Sequence, residues 1–331
     1  MKYAICLFSL LAACTDDPRP VGRYSHIGLL DTATNRLHIA GGSDLETFFV
    51  DAWSFDLDNL TWKTEAPIPQ ATHRSIAVSS GPSQGLVFGG TTWEDAETND
   101  LFAWNLQDGS WNSTPGPDGP IPAPRYKHAA AWDGARLWIM GGRENDTESP
   151  IVFDELWSKN GEEEWVSHPM TNGPGPLFRQ GMAWDSENGK LWVYGGIDDE
   201  NVRSDALFSY DPETQIWENG EVIGSAPLQK ASHSLVWTNG GLIAWGGHAT
   251  DTASWRYDIA ANTWTERDTT PAPTARDAQV TALSDDGATL YIVGGDNFAE
   301  EATEDFLSDV WSMDTASGEW TQLKETGYGS P

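Results

Sequence analysis

The sequence contains almost no cysteine: its two cysteines, Cys6 and Cys14, both lie in the first 14 residues. The rest of the chain can therefore form no internal disulfide and offers no cysteine nucleophile or thiolate metal ligand. Basic residues are also scarce, with 19 Lys and Arg against 50 Asp and Glu and a net charge of -31. Because such an acidic field repels phosphate backbones and anionic lipid headgroups, we expect no nucleic-acid binding and no direct binding to a membrane surface.

Long apolar runs are equally rare, and the one that stands out precedes Cys14. Residues 3–13 have the length of a signal-peptide core and are too few to span a bilayer as a helix. The end of this run, Leu11-Ala12-Ala13-Cys14, resembles the bacterial lipobox, in which the cysteine is lipidated and becomes the new N-terminus. The resemblance implies a signal peptide over residues 1–13, a lipid anchor on Cys14 and a place in the bacterial cell envelope, at the outer membrane. An ordinary secretory signal with an incidental cysteine is the alternative.

A pair of glycines follows a short apolar run six times, at intervals of 48 to 54 residues. The pairs are Gly41-Gly42, Gly89-Gly90, Gly141-Gly142, Gly195-Gly196, Gly246-Gly247 and Gly294-Gly295. The preceding runs are apolar on both faces, which predicts strands packed between neighbouring sheets. The period lies near the lengths of propeller repeats and above those of helical solenoids.

A second pattern follows each glycine pair: a polar loop, an aromatic strand ending in Asp or Asn, and a Trp five or six residues further on. This spacing predicts a tight hairpin with an Asp or Asn at its turn. Blades of a propeller diverge away from the axis, so the Trp is expected to fill the space between them. The tryptophans are Trp62, Trp111, Trp165, Trp217, Trp264 and Trp320.

Together with a basic residue at the start of most repeats, these patterns resemble the kelch repeat. The resemblance implies an all-β fold, a six-bladed β-propeller with four-stranded antiparallel blades, over residues 23–324. Residues 14–22 are then a polar tether and residues 325–331 a C-terminal tail. No repeat is divided between the termini, so we expect a monomer whose ring closes by packing of the first blade on the sixth.

Basic residues that open the innermost strands are the candidate ligand-binding residues: Arg23, Arg125, Arg179, Lys230 and Arg276. The second blade lacks an aligned base, although Arg74 lies two positions further along. In kelch proteins this face commonly holds ligands, and here acidic loops surround it. A basic channel mouth inside an acidic rim favours a ligand of mixed polarity, or a basic partner that binds the rim, and the predicted ligand is a protein or a glycan. The alternative is that each base binds carbonyls or carboxylates of the fold itself.

The function predicted from these features is a non-enzymatic interaction scaffold with no catalytic residue, metal or cofactor. Galactose oxidase-like chemistry needs a cysteine that the body of the chain lacks. Sialic-acid mutarotases, which are periplasmic kelch enzymes with arginines and a carboxylate around the channel, are the alternative function. His26, His128 and His233 recur three residues after the basic position. Equivalent positions predict equivalent packing roles, so we do not expect them to bind a metal.

Overall fold

The computed structural model describes residues 18–44, 46–70, 72–92, 96–114, 119–144, 150–297 and 306–326. These ranges contain 24 strands and no helix, hence none long and apolar enough to cross a membrane. The predicted signal peptide, Cys14 and most of the predicted tail lie outside the described residues.

The first three blades each comprise four strands. Blade 1 contains β1 (Ile27–Asp31), β2 (Arg36–Ala40), β3 (Ala52–Asp56) and β4 (Thr61–Glu65). Blade 2 contains β5 (Ile76–Gly81), β6 (Gln84–Phe88), β7 (Leu101–Asn105) and β8 (Trp111–Ser113). Blade 3 contains β9 (Ala129–Trp132), β10 (Arg136–Met140), β11 (Leu156–Asn160) and β12 (Val166–His168).

The last three blades repeat this arrangement. Blade 4 contains β13 (Gly181–Asp185), β14 (Lys190–Tyr194), β15 (Leu207–Asp211) and β16 (Ile216–Asn219). Blade 5 contains β17 (Ser234–Thr238), β18 (Gly241–Trp245), β19 (Ser254–Asp258) and β20 (Thr263–Arg267). Blade 6 contains β21 (Val280–Leu283), β22 (Thr289–Asp296), β23 (Phe306–Asp314) and β24 (Trp320–Lys324).

Each blade is one antiparallel sheet of four consecutive strands, so the predicted six-bladed propeller is confirmed. The first strand of every blade lies innermost and contacts the first strand of its neighbour. Blade 6 joins blade 1 without sharing a strand: the Arg23 N–H donates to the Leu307 carbonyl at 3.1 Å, and the Gly295 N–H donates to the Arg23 carbonyl at 3.0 Å. The ring is therefore closed by contacts between complete blades.

The glycine pairs join neighbouring blades. Gly41 and Gly42 have φ of +65° and +80°, a left-handed conformation that glycine adopts without steric cost. A Cβ on Gly41 would lie 2.6 Å from the carbonyl oxygen of Thr72 in the next blade, and the Gly42 N–H donates to that oxygen at 2.9 Å. In each of the five remaining pairs, the N–H of the second glycine donates in the same way to the carbonyl of the residue that opens the next blade. These bonds join Gly90 to Arg125, Gly142 to Leu177, Gly196 to Lys230, Gly247 to Arg276 and Gly295 to Arg23.

The tryptophans of the outermost strands pack between blades, as the sequence predicts. The Trp264 ring lies 5.2 Å from the ring of Tyr257 in its own blade and 5.0 Å from the ring of Tyr194 in the preceding blade. Asp258, which ends β19, accepts the Ala261 N–H with its carboxylate and so caps the hairpin turn that carries the Trp. Corresponding inter-blade contacts join Trp165 to Phe88 and Trp320 to Trp245.

Candidate functional site

Four of the five predicted binding residues are buried inside their own blades rather than exposed in the channel mouth. Arg276 is 1 % exposed and donates to the Gly294 carbonyl at 3.0 Å. Its guanidinium also binds both carboxylate oxygens of Asp309, at 2.5 and 2.9 Å. Corresponding contacts join Arg23 to Gly41 and Asp51, Arg125 to Gly141 and Glu155, and Lys230 to Gly246 and Asp251. The geometry favours the architectural alternative for these four, and ligand binding by them stays a prediction.

Arg179 does not belong with these four. The residue that opens blade 4 is Leu177, whose carbonyl accepts the Gly142 N–H, and Arg179 lies two positions further along, as Arg74 does in blade 2. The predicted alignment of Arg179 with Arg23 was therefore wrong by two residues. The correction moves Arg179 from the blade interior to the channel mouth.

The residues two positions after the opening form a ring at the channel mouth. They are Ser25, Arg74, Lys127, Arg179, Ser232 and Ala278, and all have φ between +52° and +62°. The backbone N–H of each donates to the carbonyl of its counterpart in the preceding blade, at 2.8 to 3.2 Å, and the sixth bond closes the circle from Ser25 to Ala278. Non-glycine residues in this conformation are strained, so the ring of bonds holds six strained positions in place.

Side chains on this ring divide the mouth into two halves. Blades 2, 3 and 4 contribute Arg74, Lys127 and Arg179, whereas blades 5, 6 and 1 contribute the small residues Ser232, Ala278 and Ser25. All six residues line a cavity of about 460 Å³. The mouth is thus a cavity with one cationic wall.

Two further arginines, Arg143 and Arg203, extend the cationic wall, and we call Arg74, Lys127, Arg143, Arg179 and Arg203 the mouth cations. Arg74, Lys127 and Arg143 surround the Tyr126 ring at 5.4, 5.2 and 5.9 Å from its centroid. The Nε atoms of Arg74, Arg143 and Arg179 are buried and have no hydrogen-bond partner among the described residues. The fold thus leaves these guanidinium groups unsaturated, whereas it pairs the four buried bases with carbonyls and carboxylates.

Charges at the mouth shift the pKa values of two groups. Burial, together with Arg179, Arg74 and Arg143, lowers the pKa of Lys127 to about 6. Burial raises the pKa of Asp277 to about 6, although Arg179, whose Nη1 lies 3.8 Å from its Oδ2, acts in the opposite direction. Burial dominates both shifts, because the cavity gives its ionisable groups little water; the neighbouring arginines add to the shift of the Lys127 pKa and oppose that of the Asp277 pKa.

The histidines lie one layer deeper and pack against glycine pairs. The residues three positions after the opening are His26, Ser75, His128, Gln180, His233 and Gln279, and they line a cavity of about 210 Å³. The Cε1 atom of His128 lies 2.9 Å from where a Cβ on Gly89 of the preceding blade would stand, and Gln180 donates to the Met140 carbonyl at the equivalent place. Within the described ranges, no three metal-ligating side chains of His, Cys, Asp or Glu converge.

A family model described as the KLHDC2/KLHL20/DRC7 kelch-repeats domain matches residues 10–158, 64–247 and 146–331. The chain belongs to the kelch-repeat family. Its kelch propeller is also similar to the Rab9 effector protein with kelch motifs from Bos taurus, 30 % identical over 53 % of this chain and 47 % of that protein. Human host cell factor 1 is 29 % identical over 49 % of this chain and 9 % of its own length. Human host cell factor 2 is 26 % identical over 70 % of this chain and 34 % of its own. The chain spans less than half the length of these curated relatives.

Proposed function

We propose that this kelch propeller is a non-enzymatic binding module whose channel mouth takes an acidic segment of a protein partner. Kelch propellers are typical protein-interaction scaffolds, and the relatives are eukaryotic kelch proteins. The single observation that carries the proposal is the gathering of the five mouth cations in a chain of net charge -31. Guanidinium groups pair bidentately with carboxylates, and a bound carboxylate would supply acceptors for donors that the fold leaves unused.

Apolar side chains on the same face support a protein partner rather than a glycan. Val50, Ile151 and Val202 lie in the loops that join the second and third strands of blades 1, 3 and 4, and each is about half exposed. Antiparallel strand order puts these loops on the face where the innermost strands begin. A polar anchor point beside exposed apolar side chains is the arrangement of a protein interface.

Replacing Arg74 and Arg179 by Ser is expected to weaken binding of a glutamate-rich peptide by about 100-fold, because each charge-assisted hydrogen bond contributes about 1.5–3 kcal/mol. Serine is the matched substitution, since Ser25 and Ser232 occupy the same ring with the same positive φ. The measurement is fluorescence polarisation across glutamate- and aspartate-rich peptides at two salt concentrations. We expect the salt dependence of the wild type to be reduced in the variant.

The control for that experiment removes two positive charges elsewhere. Lys63→Ser and Lys190→Ser take away partly exposed amines that pair with Glu65 and Glu218 outside the channel. If affinity falls as much in this control as in the Arg74→Ser, Arg179→Ser variant, the effect is one of net charge and the site is not the mouth. Unchanged affinity in the mouth variant would contradict the proposal directly.

A second candidate function, chemistry on an acidic sugar, is favoured by one observation: Asp277, with its raised pKa, lies beside Arg179. This is the arginine and carboxylate combination that the resemblance to sialic-acid mutarotases implies. The test is the rate of anomer exchange of N-acetylneuraminate, followed by NMR. Acceleration by the wild type that is lost in Asp277→Asn would support the enzyme, and an unaccelerated rate would leave the binding module as the function.

The proposal includes a location at the bacterial cell envelope through a lipid on Cys14. We expect Cys14→Ser to move the protein from the detergent phase to the aqueous phase in a detergent-partitioning experiment, because a lipid-modified chain partitions with its acyl groups. Cys6→Ser is the matched control, since Cys6 lies inside the predicted signal peptide and should leave partitioning unchanged. Equal partitioning of wild type and Cys14→Ser would remove the anchor from the proposal.

A further inference from the structure

Lys127 is the mouth cation whose surroundings are least suited to an ammonium ion. Its Nζ lies 5.2 Å from the centroid of the Tyr126 ring, and no carboxylate among the described residues forms an ion pair with it. Arg74 and Arg179 are its neighbours on the ring of backbone hydrogen bonds, and Arg143 contacts the same tyrosine ring. Two carboxylates, Asp277 and Asp296, line the same cavity, and the charge of Asp277 opposes loss of the lysine proton.

Lys230, which is buried inside blade 5, has surroundings that differ from those of Lys127 at the channel mouth. Lys230 is fully buried, but its Nζ donates to the Gly246 carbonyl at 3.0 Å and to the Asp251 carboxylate at 2.8 Å. Both of these contacts favour a charged ammonium. Lys127 has three arginines as electrostatic neighbours instead, and its amine faces a cavity of about 460 Å³. A neutral amine in an open cavity is a nucleophile, and lysines beside other cations serve as such in enzymes.

We infer that the Lys127 amine forms an imine with small 2-oxo acids, whose carboxylate is bound by Arg74 and Arg179. In this class of ligand the electrophilic carbonyl carbon is directly bonded to the carboxylate. An anion held by the two flanking arginines therefore presents its carbonyl to the lysine between them. This inference goes beyond the proposed binding of an acidic protein segment. Imine formation and segment binding are separate hypotheses, and either can be wrong while the other holds.

The reaction needs no oxidant, reductant or metal. The Nζ lone pair attacks the carbonyl carbon, a C–N bond forms, and the carbonyl oxygen takes up the proton that nitrogen loses. The resulting carbinolamine then expels its hydroxyl group as water while the nitrogen lone pair forms the C=N bond. Asp277, which lines the cavity and has a pKa raised to about 6, donates a proton to the departing hydroxyl, and the iminium nitrogen then returns a proton to the Asp277 carboxylate to give the imine.

The experiment traps the imine on the full-length protein. Glyoxylate or pyruvate is added with cyanoborohydride, which reduces the C=N bond to a stable secondary amine, and the modified residue is located by peptide mass spectrometry. At pH 7 a lysine with a pKa near 6 has about three orders of magnitude more free amine than an ordinary one. Because a less basic amine is also a weaker nucleophile, we expect labelling of Lys127 to be at least about 10-fold faster than that of a short lysine peptide.

Four comparisons decide the outcome. Lys127→Arg keeps a long basic side chain without a primary amine and should abolish the label, while melting temperature reports whether the variant is folded. Relative to the lysine peptide, Lys127 should be labelled with a smaller preference by acetaldehyde, which has no carboxylate, than by glyoxylate, and Arg74→Ser should reduce the preference shown by glyoxylate. The labelling rate should reach half its maximum near pH 6, well below the midpoint for the peptide.

Labelling of Lys127 no faster than that of the peptide, or with the same pH midpoint, would overturn the inference. A label at Lys127 that forms equally with acetaldehyde would show a reactive amine without the proposed carboxylate site, and that result also contradicts it. Binding of glutamate-rich peptides is measured separately on the same preparations. If Lys127 is not labelled but glutamate-rich peptides still bind, the inferred imine is contradicted and the proposed function is not.

Discussion

Arg276→Leu is expected to lower the free energy of unfolding by about 3–5 kcal/mol, the cost of breaking a buried ion pair from one side. The substitution leaves the Asp309 carboxylate, 6 % exposed, without its bidentate partner, and leaves the Gly294 carbonyl without its side-chain donor. The Trp311 indole still donates to Asp309 at 2.8 Å, but one neutral donor does not replace a guanidinium. Urea denaturation at neutral pH measures the loss.

Arg23→Leu is the matched comparison because it removes the same contact in blade 1. There the partner carboxylate, Asp51, is 39 % exposed and can be solvated after the arginine is gone. We therefore expect a smaller loss for Arg23 than for Arg276, and equal losses would show that burial of the carboxylate is not the cause. Blade 4 provides the natural reference, since it has neither partner: Leu177 opens it, and Ala206 stands at the position of Asp309.

The fold could be predicted from the sequence because its signals are repeated in all six blades. A glycine pair, an Asp or Asn turn and an outer Trp each have a local physical cause, and a repeat displays each cause six times. The pair Gly41-Gly42, for example, is required because a Cβ on Gly41 would meet the Thr72 carbonyl of the next blade, to which the Gly42 N–H donates. Such contacts are the same at every blade boundary, so the periodicity encodes them.

The candidate site could be predicted only in part, because its geometry breaks the rule that side chains two positions apart share a face. Positive φ at Arg74, Lys127 and Arg179 turns these side chains into the mouth, while the opening residues point back into their own blades. Nothing in the composition of the strand marks that turn. The one available signal was Arg74, which lies two positions after the residue that opens blade 2. Arg179 lies at the same position in blade 4.

Arg143, Arg203 and Asp277 were missed for a different reason. Arg143 follows a glycine pair, Arg203 lies in a loop between the second and third strands of blade 4, and Asp277 directly follows an opening residue. Arg203 and Asp277 line one cavity, and Arg143 contacts the Tyr126 ring that Arg74 and Lys127 also contact, only because the ring brings separate blades together around the axis. A repeat alignment compares each residue with its equivalents in other blades, so it cannot show which unlike positions meet across a channel.

The second large prediction concerns the buried histidines: we expect the protein to lose stability in mild acid. Burial, together with a neighbouring cation, lowers the pKa values of His26, His128 and His233 to about 3. In the unfolded chain a histidine titrates near 6.5, so the unfolded state binds more protons at any pH between about 3 and 6.5. Stability must therefore fall as pH falls through this range, by up to about 1.4 kcal/mol per pH unit for each histidine.

The triple variant His26→Gln, His128→Gln, His233→Gln isolates this effect, because Gln180 and Gln279 already occupy the equivalent positions in blades 4 and 6. Between pH 7.5 and pH 5 the wild type should lose about 2 kcal/mol per histidine relative to the variant. Asp277 titrates near pH 6 with the opposite sign, since a raised carboxyl pKa favours the folded state as pH falls, but it is common to both proteins. Urea unfolding at several pH values gives the difference directly, and parallel profiles for the two proteins would show that the three imidazoles are not held neutral by the fold.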